Sequence, residues 1–536
     1  MSLDKVNVRR IMFTKDVRLN QKEVIRGKRA KSLAKLLLKK GGGMRMFRKS
    51  VVLALVVLVG LVGGAAARKY EGVTITVFTQ PPPYIAKPVM MFAPDWEKAT
   101  GAKINLVTAP WGELYPKMYA SFGLAEALFD IVIFPAAWLP DFASAGFLVP
   151  LDEFIAKDPY IQWEDILPIY RERIVSWEGK VYAVPLDGDC HIFYYRKDAL
   201  ENPEYQAKFK EKYGYDLPVP PKTWKQVRDI AEFFHGWDWD GDGQVEYGVV
   251  EPRRYAGQAD WCFFSRTVGY VALPGQPGGL FFDPETMEPR INSPGHVRAL
   301  EDYVEIMKYG VPGMINMDSG EIRSVFAAGL AAMAIDWGDI GVISEVGEES
   351  TVRGKVGYAV LPGSDEVWDF SRGTWVKLAE PNQAGYLAFG GWVAGIAHNS
   401  KHIEAAYDFI SYLSRPENSY ISVTTPETGF NPYRYSHFEK LSGWIGMGFS
   451  AEAAEAYLKA IKDTIGHPNV QPDLRIPGQA RYFEAVDRAL SRVVAGELTP
   501  KAALDEVAKI WDQITNELGR DKQLLYYRLS LGLPPK

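Results

Sequence analysis

The order of segments after residue 70 constrains the fold most tightly. VTITVF (73–78) alternates and is rich in β-branched residues, as a half-buried strand requires. Residues 86–99 then follow a helical pattern that stops at Gly101. Lys103 to Val107 reads as a second strand, Leu114 to Leu128 as a helix and DIVIF (130–134) as a buried strand. Parallel strands need long crossover connections, and helices on the sheet faces supply them. The alternation therefore predicts an α/β lobe with a mostly parallel sheet.

With 536 residues the chain is long enough for two such lobes. Further strands are expected at 181–184, 191–195, 354–361 and 391–396. Helices are expected around 222–234, 294–309 and 402–413, and residues 451–518 read as largely helical. The Pro/Gly-rich stretch 273–290 reads as a loop.

A second constraint lies near the start. Arg45, Arg48 and Lys49 precede an apolar run from Val51 to Val62, and small residues lead to Ala65-Ala66-Ala67. A basic head, a short apolar stretch and an Ala-x-Ala end form a secretory signal peptide over 44–67. The run is shorter than the ~20 apolar residues of a membrane span. Cleavage after Ala67 is expected, and an uncleaved anchor is the alternative. Residues 1–43 carry 13 Lys+Arg against 3 Asp+Glu. A signal peptide should open a chain, so these residues are read as an extension from an early start, with Met44 the true first residue. Residues 68–536 then hold 45 basic and 63 acidic residues, a balance that disfavours nucleic acid or an anionic membrane as partner. Cys190 and Cys262 both lie in the exported part, where a disulfide and two separate buried thiols both remain open.

Five segments carry a family resemblance. FDIVIFPAAWLPDFASAGFLVPLDEFI (129–155) is similar to a strand, ligand loop and turn. GKVYAVPLDGDCHIFYYRKDAL (179–200) is similar to a first crossover between lobes. VFAAGLAAMAIDWGDI (325–340) is similar to a helix and strand that place a cleft aromatic. GKVGYAVLPG (354–363), with GGWVAGIAHNSKHIEAAYDFISYLS (390–414), is similar to a return crossing. ARYFEAVDRALSRVVAGELTPKAALDEVAKI (480–510) is similar to closing helices. In this order they resemble the extracellular solute-binding proteins of ABC importers, in the maltose-binding-protein-like, sugar-binding group.

The resemblance implies an α/β, two-lobed periplasmic-binding-protein fold of class II type, with hinge strands and a ligand cleft between the lobes. Lobe one would hold 70–188 plus 354–448, and lobe two 191–350 plus 449–525. It also implies a monomeric binder, not an enzyme, on the periplasmic or extracellular face. Such a binder closes on a sugar, an oligosaccharide in the first instance, and delivers it to a membrane permease.

A sugar offers hydroxyls to carboxylates and amides and an apolar face to aromatic rings. The candidates at loop positions are Trp111, Trp138, Asp187, Asp189, Trp261, Asp336, Trp337 and Trp392. Asp339, Arg253, Arg254 and Tyr255 are secondary candidates, and the resemblance adds Tyr482 on a late helix. For each Trp the competing reading is ordinary core.

DWDGDGQVEYG (238–248) is a separate motif. Asp238, Asp240 and Asp242 alternate, Gly243 follows, and Gln244 and Glu246 come next. Hard oxygen ligands at this spacing are those of the first half of a Ca²⁺ loop. The twelfth position is Val249 rather than Glu, so a structural Ca²⁺ here needs Glu246 or Glu251 as substitute. An Asp/Gly-rich turn without metal is the alternative.

Other function classes fit less well. Paired carboxylates such as Asp187 and Asp189 suit glycoside hydrolysis, but GxSxG, HExxH and GxxxxGK[ST] are all missing. Polyamines and phosphate esters are alternative ligands. Iron is disfavoured, because Tyr194 and Tyr195 are neighbours on a strand and point to opposite faces.

Overall fold

The computed structural model describes residues 68–536. The expectations for 1–43 and 44–67 lie outside the described residues. The body is built on nine strands: β1 Thr74–Thr79, β2 Lys103–Thr108, β3 Ile131–Pro135, β4 Ala183–Pro185, β5 Ile192–Arg196, β6 Tyr247–Val250, β7 Ala331–Asp336, β8 Val356–Ala359 and β9 Trp392–Ile396. They form two sheets with orders β2-β1-β3-β9-β4 and β8-β5-β7-β6.

In the first sheet β1 runs parallel to β2 and β3, as the opening alternation predicts. The Ala86–Thr100 helix connects β1 to β2 and ends at Gly101, whose left-handed φ of 85° serves its C-cap. The Trp111–Phe122 helix is shorter than predicted and stops before Gly123. β9 inserts antiparallel between β3 and β4. The chain thus leaves the first sheet after β4, builds the second, and returns in β9.

The second sheet is mixed. β5 is antiparallel to β7 and β8, while β6 and β7 are parallel. β8 pairs with β5, so residues 356–359 belong to the second sheet and the return begins after them, not at 354. All of β3, β5, β7 and β9 is buried. Such strands read as continuous apolar runs because helices cover both faces.

The C-terminal region is helical, over Ala451–Ile465, Gln479–Val494, Pro500–Leu518 and Arg520–Ser530. In Gln479–Val494 the buried positions 482, 483, 486, 489, 490 and 493 recur at helical spacing and face the second lobe. Among the described residues no helix is long and apolar enough to cross a membrane. Cys190 and Cys262 are free, buried thiols, which answers the disulfide question for this fold.

Two segments pass between the sheets, around residues 186–191 and 388–391, and a third, 429–433, packs against them. They meet at glycines. A Cβ on Gly188 would stand 2.2 Å from the Pro432 carbonyl oxygen, and one on Gly391 (φ +94°) 2.4 Å from that of Asp187. Only glycine allows backbones to approach this closely.

Candidate functional site

The carboxyl ends of both sheets face a cavity of about 180 Å³ between the lobes. Lobe one contributes Gln80, Tyr84 and Ile85 from the loop after β1, together with Phe389 and Trp392. Lobe two contributes Arg254 and Gln258 after β6, Arg323 from the Ser319–Ala327 helix, and Trp337 and Asp339 after β7. Ligands of open α/β sheets bind at such strand ends. A larger cavity of about 610 Å³ lies elsewhere, between residues 163–181, 472–475 and 526–530, and none of the predicted site residues lines it.

The predicted tryptophans converge on Phe389. Its ring centroid lies 5.6 Å from Trp111, 5.1 Å from Trp261, 5.9 Å from Trp337 and 5.4 Å from Trp392. Trp138 packs on Trp111 at 5.3 Å. Trp337 and Trp392 line the cavity, whereas Trp111, Trp138 and Trp261 form the wall behind it and do not. The polar ends of two rings are tied back into the protein. The Trp261 indole donates to Asp473 at 2.8 Å and the Trp337 indole to the Ala388 carbonyl at 3.0 Å. Phe389 itself escaped the sequence analysis. Its φ of +71° is unusual for a non-glycine residue, and the flanking Gly390-Gly391 is the sequence signal that the backbone bends there.

The aspartates divide into different roles. Asp187 is fully buried and accepts backbone N–H bonds from Gly188 (2.7 Å), Asn431 (2.6 Å) and Trp392 (3.2 Å). One carboxylate therefore bonds both crossing segments and the segment packed against them and, being enclosed, offers nothing to a sugar hydroxyl. Burial pushes its carboxyl up to about 7 against the pull of these donors. Asp189 lines the cavity and accepts from the Asn431 amide at 2.8 Å. Burial and the neighbouring Asp187 charge hold its carboxyl well above the ordinary range.

Asp336 is also a correction. It is fully buried beneath Arg323, which donates to it at 2.7 and 3.1 Å, so it positions the arginine instead of facing a ligand. Asp339 reaches the cavity in its place and pairs with the same guanidinium at 3.1 Å. Arg323 lies under the Tyr84 ring at 5.4 Å. The sequence marks its helix through the capping box from Asp318 to Glu321, which places residue 323 one turn in.

Tyr482, expected in the cleft, is instead fully buried away from the cavity. Its hydroxyl bonds Thr515 and Gln523, and its ring packs on Phe282 and Trp511 in the lobe core. Its neighbour Phe483 approaches Trp261 at 5.6 Å. Among the secondary candidates, Arg254 lines the cavity, while Arg253 is buried in a pair with Glu251. Tyr194 donates to the Trp337 carbonyl within the core.

The cavity's two guanidiniums are both paired, against four carboxylates. Arg254 binds Asp318 and Glu321, each at 2.9 Å, and Arg323 binds Asp336 and Asp339. Neither guanidinium is left unpaired for an anion, and Asp189 retains its proton well above the ordinary carboxyl range.

Comparison with known proteins agrees with this architecture. The model of the bacterial extracellular solute-binding protein family matches residues 82–420. The chain belongs to this family. A mannitol-binding protein of Pseudomonas aeruginosa is 27% identical over 44% of the chain and 50% of its own length. A maltotriose-binding protein of Pyrococcus abyssi is 24% identical over 53% of the chain and 50% of its own length. The chain is thus aligned with about half the length of these curated relatives. An ABC transporter solute-binding protein of Agrobacterium radiobacter K84, solved in complex with ribitol, superposes with a TM-score of 0.67 at 23% identity. The match covers 83% of this chain and 100% of that one. As a solute-binding protein, the chain belongs to a family of extracellular binders, and its two-lobed fold is that of the solved members.

Proposed function

We propose that this solute-binding protein captures a neutral sugar or sugar alcohol in the cavity between its lobes and delivers it to an ABC importer permease. The observation that carries the reading is the set of mutually paired arginines and carboxylates facing the Trp337–Phe389–Trp392 rings. A phosphate ester would need a free guanidinium, and both cleft arginines already hold two carboxylates. A polyamine would need free carboxylates, and those present are paired or hold their proton. Ring faces opposite hydroxyl-bonding groups suit a polyhydroxylated ligand. The relatives that bind mannitol, maltotriose and ribitol support the same class.

The cavity of about 180 Å³ is smaller than the ~300–1,000 Å³ typical of ligand pockets. This favours a single ring or an open-chain polyol over an oligosaccharide. Titration calorimetry with mannitol, ribitol, glucose, maltotriose, glycerol 3-phosphate and spermidine tests the reading. Saturable binding of one of the small neutral ligands is expected, with loss of at least about tenfold in Trp337→Ala. Binding confined to glycerol 3-phosphate or spermidine would overturn it.

A further inference from the structure

The Asp238–Glu246 loop shares no residue with the cleft. It begins just before β6, and an antiparallel bridge between Trp237 and Glu246 closes it. Asp238, Asp240 and Asp242 are exposed, whereas Glu246 is only 1% exposed. One oxygen from each of the four carboxylates lies within 4.8 Å of the others. Gly241 and Gly243, at φ +80° and +90°, let the backbone turn so that alternate side chains gather inward.

Glu246 supplies an independent observation. Its Oε2 accepts the Trp239 N–H at 2.9 Å, but its Oε1 is enclosed by protein and has no hydrogen-bond partner. A buried carboxylate oxygen without a donor, beside three further carboxylates, is an arrangement that native proteins satisfy with a cation. Arg196 donates to the Asp240 Oδ2 at 3.1 Å.

We propose that Asp238, Asp240, Asp242 and Glu246, with the main-chain carbonyl of Gln244, hold one structural Ca²⁺. The donors are all hard oxygens, with no His or Cys among them, which selects Ca²⁺ over transition metals. Val249, at the position where a longer calcium loop carries Glu, already pairs with Met333 in the sheet, and Glu246 takes over the closing role. Glu251 is excluded, because it is fully buried between Arg253 and Arg266, each at 2.6 Å. The ion joins the loop, through Asp240 and Arg196, to β5 in the middle of the second sheet.

The test uses the full chain, stripped with a chelator and titrated with CaCl₂ by calorimetry. Terbium luminescence sensitised by Trp239 gives a second readout. One Ca²⁺ per chain is expected, bound at least about tenfold more tightly than Mg²⁺ and accompanied by a higher melting temperature. Glu246→Gln, which keeps the shape but removes the charge, is expected to weaken Ca²⁺ at least about tenfold while sugar-induced tryptophan fluorescence persists. If that variant does not fold, Asp242→Asn at the exposed rim serves instead. No uptake at millimolar Ca²⁺, equal affinity for Mg²⁺, or unchanged affinity in the folded variant would each overturn the proposal.

Discussion

At the residue scale, Asp187 is the most consequential side chain. Replacing it by Ala leaves the buried amides of Gly188, Asn431 and Trp392 without an acceptor. Each orphaned donor costs about 1–3 kcal/mol, so Asp187→Ala is expected to lose at least about 3 kcal/mol in urea unfolding. A loss under about 1 kcal/mol would contradict the assigned role. The paired carboxyls also give stability a pH dependence. Asp187 and Asp336 are raised to about 7, and Asp189 is likewise held well above its ordinary value. On raising the pH the unfolded chain releases these protons first, near the ordinary value of about 4. Their stabilisation is therefore full below about pH 4, falls between about 4 and 7, and is gone above that. The melting temperature should be higher at pH 5.5 than at pH 8, and Asp189→Asn should flatten the difference by raising the value at pH 8. At this scale the aromatic platforms were legible in the sequence, because Trp residues stand beside strand ends. The choice between Tyr482 and Phe483 was not. Adjacent helix positions differ by about 100°, and helix rotation is set by packing against residues far along the chain, such as Trp511 and Trp261. Asp336 and Asp339 were likewise ambiguous until the arginine thirteen positions before Asp336 was brought beside them.

At the element scale, the crossing segments depend on residues without side chains. Gly391→Ala combines a strained φ with a contact against the Asp187 backbone, and is expected to cost at least about 2 kcal/mol. Gly112, inside the Trp111–Phe122 helix, has nothing within 4 Å of its missing Cβ. Gly112→Ala should instead stabilise by up to about 1 kcal/mol, through helix propensity alone. Thermal unfolding of the two variants side by side checks both signs. Strands and helices were read well from periodicity, since each records its own burial pattern. Sheet membership was less accessible. The apolar run of β8 fits either sheet, and only its register against β5 decides.

At the scale of the whole molecule, the lobes meet around a cavity whose walls include Trp337 at 2% and Trp392 at 4% exposure. Such walls are reached by a ligand only if the lobes separate first. Small-angle scattering should therefore give a larger radius of gyration without ligand than with it, for a particle of one chain. Ligand at a hundredfold excess over Kd should add about 2.7 kcal/mol of stability. Equal radii with and without a bound sugar would count against closure.

The crossing point at Asp187 also determines where a motion of the lobes would be largest. A rotation about a fixed point displaces each atom in proportion to its distance from that point. Fluorophores near the crossings would hardly change their separation, whereas a pair on the distal surfaces of the two lobes would sweep a long arc. An optical sensor built on this scaffold should therefore carry its dyes far from the carboxylate that ties the crossings together.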